Sequence, residues 1–457
     1  MAVAPASPLA MTLRPTMKVR LCQFFKPALA FVVVAALLFI LLQWNVRCLL
    51  LPLTLIGLAV VVMIGNDATL LGGLRPFDGG DDGLVYDGWS RIIVQQLLNG
   101  DIVGALKGVE PVFVFTPGSR YLRAVEHLIF GESYFGYVSL LLLLPFLVFC
   151  LFRRYLTARA ALAVTLIFVA FPIGALFGST FYLYVKHAAH GYGDPAAAVF
   201  FIAATLGLIG CARSGPSLRF GPALRSGLLF ALALFVRPNL AIGAAILLGG
   251  AGLAALWQLQ YRRLAGLCVG FLPVFGATLH NWYYGGAFVL FSTQTSAPAS
   301  MPMPPYAYGS ALWELLHLNF SGNVARGGRQ ILLMLVGPSE SFAMAPLYAV
   351  ALVIIVRVTM SARFDNWLRL IAIGTLGLYT PALFFIYSDR YLLVAWLFTL
   401  LICFVWLCDE GLPWIERRYP GLVDGVLRRR GAIWLSRWLD TFARACGVLP
   451  PAAISAK

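Results

Sequence analysis

Residues 392–408 read Leu392-Leu393-Val394-Ala395-Trp396-Leu397-Phe398-Thr399-Leu400-Leu401-Ile402-Cys403-Phe404-Val405-Trp406-Leu407-Cys408, an apolar run without a charge. At about 1.5 Å of rise per residue such a run has nearly the length of a bilayer core and reads as a transmembrane helix. Similar runs rich in Leu, Ala, Val and Phe recur along the chain. They are continuous, where a transmembrane β-barrel would show short alternating segments. Composition agrees. The 457 residues are 60% hydrophobic, 14% aromatic and 12% charged, with mean hydropathy +0.84. That is about half the usual charge density and excludes a soluble globular enzyme.

Working outward from residues 392–408, spans fall at Tyr137–Phe152, Ala160–Gly178, Pro195–Gly210, Ser226–Val236, Asn239–Trp257, Leu264–Trp282, Phe342–Val356 and Leu370–Ile386. Ser226–Val236 is too short to cross alone, and Arg237-Pro238 interrupts the run, so a broken helix pair is expected there. Gln330–Leu335, ended by Gly337-Pro338-Ser339, reads as a segment that dips in without crossing. At the N-terminus, Cys48–Gly65 is one span and Pro27–Gln43 is either a second span or a segment at the inner leaflet. The fold class is all-α: a polytopic helical membrane protein with about 10–11 transmembrane helices.

The net charge of +15 comes from 34 Lys and Arg against 19 Asp and Glu, and the positions of these residues exclude a nucleic-acid reading. The basic residues gather in the short connectors Phe152–Arg159, Cys211–Arg225, Tyr261–Arg263 and Arg357–Arg369, and in the tail. The positive-inside rule makes these cytoplasmic. Nine of the 19 acids fall between Asn66 and Gly136 with five basic residues, so that segment belongs outside. The chain therefore divides into a basic N-terminal segment with one or two spans (1–65) and an extracytoplasmic acidic loop (66–136). A helical core (137–408) with outer loops 179–194 and 283–329 follows, then a basic cytoplasmic tail (409–457). None of the eight cysteines lies in the three large outer loops, and their spacing does not suggest a metal site. Ser296–Pro305, with interleaved Pro, Met and Ser, reads as an extended lid.

In the acidic loop, Arg75-Pro76-Phe77-Asp78-Gly79-Gly80-Asp81-Asp82-Gly83 places adjacent carboxylates among glycines that permit sharp turns. Paired acids beside the membrane can hold a divalent cation or supply a general base; a solvated turn is the alternative. Next, Tyr86, Trp89, Ile93 and Leu97 share a helical face, which suggests an amphipathic helix anchored on the bilayer by its aromatic residues. Arg120, in Phe113–Tyr121, reads either as a phosphate ligand or as the partner of Glu126 or Glu110.

In this order and topology the chain resembles the GT-C superfamily of membrane glycosyltransferases, which includes protein O-mannosyltransferases and aminoarabinose and arabinofuranosyl transferases. The resemblance is carried by Asp81-Asp82 in the first outer loop, the juxtamembrane helix after it, and Asp194-Pro195 opening a later span. Arg237-Pro238-Asn239, His280-Asn281-Trp282-Tyr283-Tyr284-Gly285 and Asp389-Arg390-Tyr391-Leu392-Leu393 complete it. It implies transfer of a sugar from a polyprenyl-phosphate donor to an acceptor hydroxyl on a glycan, lipid or protein. The setting it implies is a bacterial inner membrane, with an extracytoplasmic site and a cytoplasmic C-terminus. Asp82 or Asp81 would be the base of an inverting displacement, and Arg390, Arg237, Lys186 and Arg120 would be candidates for the donor phosphate. One departure concerns the next outer loop, where family members often carry a second acidic motif. Here it reads Lys186-His187-Ala188-Ala189-His190-Gly191-Tyr192-Gly193-Asp194. Asp81, His187, His190 and Asp194 are one option for ligating a divalent metal such as Mg or Mn; hydrogen-bonded loop histidines are the other. A transporter or lipid-linked-sugar flippase accounts equally for the hydropathy and the broken helix. It accounts poorly for the clustered acids in one outer loop and for spans nearly free of midplane charge. An O-antigen polymerase or ligase would carry its large, arginine-rich loop late in the chain.

Overall fold

A computed structural model of the chain describes residues 46–66, 81–109, 112, 116–131, 135–170, 180–213, 220–292, 303–336, 344–384, 388–421 and 441. Among these residues the regular structure is helical throughout. The apolar run 27–43, residues 75–80, residues 296–302 of the expected lid and the tail beyond 421 apart from 441 lie outside them.

Among the described residues five helices are long and apolar enough to cross a membrane: Gly136–Arg153, Pro238–Trp257, Tyr261–Gly285, Asn366–Phe384 and Asp389–Arg418. Five shorter apolar helices accompany them, at Leu51–Val61, Ala158–Ala170, Asp194–Gly210, Phe220–Val236 and Ala345–Met360. Each coincides with an apolar run in the sequence. Two expectations change. The helix ending at the Arg237-Pro238 break begins at Phe220, not Ser226; Arg225 lies in its early turns, and its length of roughly 25 Å approaches the bilayer core. Gln330–Leu335 is the end of the helix Gly322–Val336, which packs against the helices Pro305–Leu316 and Thr380–Phe384.

The centre of the bundle depends on small residues. Phe220–Val236 packs most closely against Tyr261–Phe271 and Asp194–Arg213. A Cβ on Gly227 would approach the Leu267 carbonyl to 2.6 Å, and one on Gly266 the Phe220 carbonyl to 2.6 Å. On Gly270 it would overlap the Leu224 carbonyl. Lipid offers no hydrophobic drive for helices to associate, so close backbone approach through small residues supplies the dispersion contact instead. The last span sits inside this bundle, with Leu393, Val394, Ala395, Trp396, Leu397 and Phe398 all buried. Hydroxyls within the spans bond their own helix, as Thr205 does to the Phe201 carbonyl at 2.9 Å and Thr399 to that of Ala395 at 2.8 Å. No polar group there is left facing hydrocarbon by these threonines.

The acidic loop is largely folded, as helices Asp81–Asn99, Ile102–Lys107 and Pro117–Phe130. The first is the helix expected after Asp81-Asp82, with its faces reversed. Tyr86 and Ile93 point into the protein at 2% exposure each. The apolar residues turned outward are Leu84, Val85, Ile92 and Leu98, continued by Ile102, Val103 and Leu106. Tyr86 and Trp89 turn inward because guanidinium groups wait there: Arg237 lies 5.2 Å from the Tyr86 ring and Arg120 4.9 Å from the Trp89 ring.

Candidate active site

The break at Arg237-Pro238 organises one end of the bundle, the end that the charge pattern assigns outward. A residue before proline is disfavoured in the helical region, and Arg237 is extended at φ −143°, ψ 103°. Its amide still closes the helix on the Ala233 carbonyl at 2.8 Å. The Val236 carbonyl is thereby freed and accepts the hydroxyls of Ser119 at 2.9 Å and Thr116 at 3.3 Å. Gly118 lets this helix start come close, since a Cβ there would overlap the Phe235 carbonyl. The helix Pro117–Phe130 is in this way docked end-on at the break.

The Arg237 side chain, 8% exposed with its residue, reaches Asp194 at 2.7 Å and donates to the Tyr86 hydroxyl at 3.3 Å. Asp194 heads the helix Asp194–Arg213 with Pro195 behind it, a position that favours an acid through the helix dipole. Burial raises the Tyr86 phenol above its usual 10, although the Arg237 charge pulls the other way. Tyr86 thus meets Arg237 as a neutral hydroxyl.

One turn before Tyr86, Asp82 accepts from Arg390 Nη2 at 2.6 Å. Arg390 belongs to the short turn Asp389–Leu392 that opens the last span. Its amide bonds the Asp389 carboxylate at 2.8 Å, and Nη2 also donates to the Tyr391 hydroxyl at 3.1 Å. The guanidinium lies over two rings, 4.0 Å from the centre of Tyr192 and 5.0 Å from that of Tyr391. Nη1 is buried and has no hydrogen-bond partner among the described residues. His187 Nε2 is 3.4 Å from Asp389, and Asn239 donates to the Tyr391 carbonyl at 3.5 Å. Gly83 holds the juxtamembrane helix against the loop 186–194, where a Cβ would overlap the His190 carbonyl.

The structure therefore brings Asp82, Arg237, Arg390, His187 and Asp194 to one place. Lys186 is exposed on the adjoining helix Phe181–Ala189. The Asp81 side chain lies outside the described residues. Arg120 stands apart. It is 0% exposed, donates to the carbonyls of Val109 at 3.1 Å and Val112 at 2.9 Å, and so braces the acidic loop from within. Of its two expected partners, Glu126 pairs with Arg123 and accepts the Tyr137 amide at 2.9 Å, and Glu110 lies outside the described residues. Of the expected metal ligands, His187 faces Asp389, His190 lies parallel to Tyr192 and Asp194 faces Arg237. Among the described residues no three His, Cys, Asp or Glu side chains form a group able to hold a metal, and the fourth expected ligand, the Asp81 side chain, lies outside them.

Sequence reading missed a second cluster that fixes the juxtamembrane helix. Asp87, 4% exposed, accepts from His127 at 2.7 Å, Arg91 at 2.8 Å and Arg123 at 3.1 Å. Burial alone would raise its pKa, but the His127 and Arg91 hydrogen bonds and the Arg123 charge outweigh it and lower the carboxyl to about 2. The signal was present in the four-residue spacings Asp87/Arg91 and Arg123/His127, which share helix faces. Alongside, His280 of the aromatic exit lies 3.1 and 3.0 Å from the Leu106 and Lys107 carbonyls and 3.0 Å from the Tyr121 hydroxyl. It clasps the short helix Ile102–Lys107 to the span Tyr261–Gly285.

Fold and site together define an all-helical chain, with helices long and apolar enough to cross a membrane and a charged cluster at one end. No protein-family model, curated protein or solved structure matches it.

Proposed function

We propose that this chain is a membrane glycosyltransferase. It moves a sugar from a polyprenyl-phosphate donor to an acceptor hydroxyl on the extracytoplasmic side, with inversion. The observation that carries the reading is the contact between Asp82 and Arg390, groups 308 residues apart brought to 2.6 Å. A carboxylate and a guanidinium are what this displacement asks for. Asp82 takes the acceptor proton as the acceptor oxygen bonds to the anomeric carbon. The bond from that carbon to the phosphate oxygen breaks, and its electron pair leaves with the polyprenyl phosphate. The negative charge that grows on the phosphate is met by Arg390, whose planar fork matches phosphate oxygens, with Lys186 nearby. Arg237 belongs to the framework, holding Asp194 and Tyr86 beneath the reacting pair. The outward apolar row from Leu84 to Leu106 suits a site kept at the depth of a lipid's phosphate.

A flippase reading also draws on the proline break. The break joins two apolar helices, Phe220–Val236 and Pro238–Trp257, and the ion pairs gather at that end, which favours chemistry over passage through the midplane. The test is purified protein in proteoliposomes supplied with polyprenyl-phosphate sugars. Release of polyprenyl phosphate that depends on an acceptor and on Asp82 supports the transferase. Movement of intact lipid-linked sugar between leaflets, without bond cleavage, overturns it.

A further inference from the structure

We propose that Tyr192 is a positioning residue for Arg390, its ring fixing the guanidinium while the partner at the edge changes from Asp82 to a donor phosphate. This rests on the reading of Arg390 as the phosphate-binding residue.

A guanidinium has two independent kinds of contact. Anions bind in its plane, along the N–H edges, and aromatic rings bind its face. Exchange of Asp82 for a phosphate oxygen empties and refills the edge and leaves the face untouched. The face contact with Tyr192, at 4.0 Å, is the shortest cation–ring distance among the described residues. The two edge positions differ: Nη2 holds Asp82, whose side chain is 36% exposed, and Nη1 is buried without a partner. A donor phosphate thus meets one N–H edge that is buried but holds no hydrogen-bond partner among the described residues, and one held by an exchangeable carboxylate.

Tyr192 suits the role because contacts other than Asp82 fix it. Gly191 before it takes φ +74°, which turns the chain sharply. The Tyr192 amide bonds the His187 carbonyl at 3.1 Å, and its carbonyl accepts the Tyr137 hydroxyl. The His190 ring lies parallel to it, inclined by 15° with centroids 5.9 Å apart. Without a fixed face, Arg390 would have to be ordered anew by each phosphate, and that cost appears as lost affinity.

The experiment measures equilibrium binding of polyprenyl phosphate, without a sugar, to the full-length protein in nanodiscs. Tyr192→Leu should weaken binding by about tenfold, in keeping with a partly desolvated cation–π contact. Tyr192→Phe, which keeps the ring, should stay within about twofold of the native protein. Tyr192→Gln fills similar space without an aromatic face and serves if the Leu variant does not fold. In an Arg390→Ala background the Leu or Gln change should do nothing more. Native affinity in Arg390→Ala alone would overturn the phosphate-binding reading. Weakened binding in Arg390→Ala with native binding in Tyr192→Leu, equal loss in the Phe variant, or an undiminished Tyr192 effect without Arg390 would each overturn the positioning role.

Discussion

Asp82→Asn separates the proposed chemistry from a merely structural ion pair, because the two predict opposite signs for donor binding. Asn nearly matches Asp in shape but neither accepts the acceptor proton nor carries charge to compete for Arg390. The Asp82–Arg390 contact is a single charge-assisted bond of 2.6 Å between side chains 36% and 12% exposed. For a pair open to solvent on one side, about 1 kcal/mol is the appropriate scale. Removing that competition should tighten polyprenyl-phosphate binding by roughly fivefold, since ~1.4 kcal/mol corresponds to tenfold. Loss of the general base should meanwhile slow transfer by about 10²- to 10⁴-fold. The assay pairs equilibrium binding of polyprenyl phosphate in nanodiscs with turnover of a polyprenyl-phosphate sugar, on protein checked for native thermal unfolding. If binding and stability fall together, the pair is a structural tie. If transfer is unchanged, the base lies elsewhere.

Three further outcomes follow from the same contacts. Arg237→Met strands the Asp194 carboxylate, whose side chain is 3% exposed, and should cost about 3–5 kcal/mol in unfolding free energy. Adding Asp194→Asn should recover most of it; a double variant as poor as the summed single changes would show the two residues acting separately. The Asp87 carboxyl is lowered from 3.8 to about 2, so its contribution of about 2 kcal/mol is present above pH ~4 and is lost as pH falls toward 2. The gap in thermal midpoint between the native protein and Asp87→Asn should therefore narrow between pH 5 and pH 3; a constant gap would refute the linkage. For orientation, a cysteine at exposed Asn99 should react with an impermeant thiol reagent in intact cells, while one at exposed Gln258 should not. Ser90, at 0% exposure, would label poorly in either orientation. The reverse pattern would invert the topology and remove the extracytoplasmic site.

What was legible in the sequence was whatever hydrophobicity and local stereochemistry determine. Leu393–Trp406 became a largely buried helix because nothing in it wants water, and Arg237-Pro238 became a break because proline disfavours the helical region for its neighbour. The start of the helix Phe220–Val236 was missed for the opposite reason. Arg225 reads as a stop, although a long basic side chain near a helix end keeps its charge in water and its stem on the apolar surface. The juxtamembrane helix had the right period and the wrong face. Leu84, Val85, Ile92 and Leu98 compete with Tyr86, Trp89, Ile93 and Leu97 for the apolar label, and the choice fell to Arg237 and Arg120, which other segments deliver. The charged groups followed the same logic. Asp82, Arg390, Arg237 and Asp194 could be nominated one by one from their positions at span ends, but which of them pair depends on contacts that no local pattern encodes. Arg120, nominated on its neighbours Pro117 and Tyr121, was drawn instead to the carbonyls of Val109 and Val112. A buried backbone carbonyl needs a donor, and at 0% exposure the Arg120 guanidinium is placed to supply one rather than to meet a lipid headgroup.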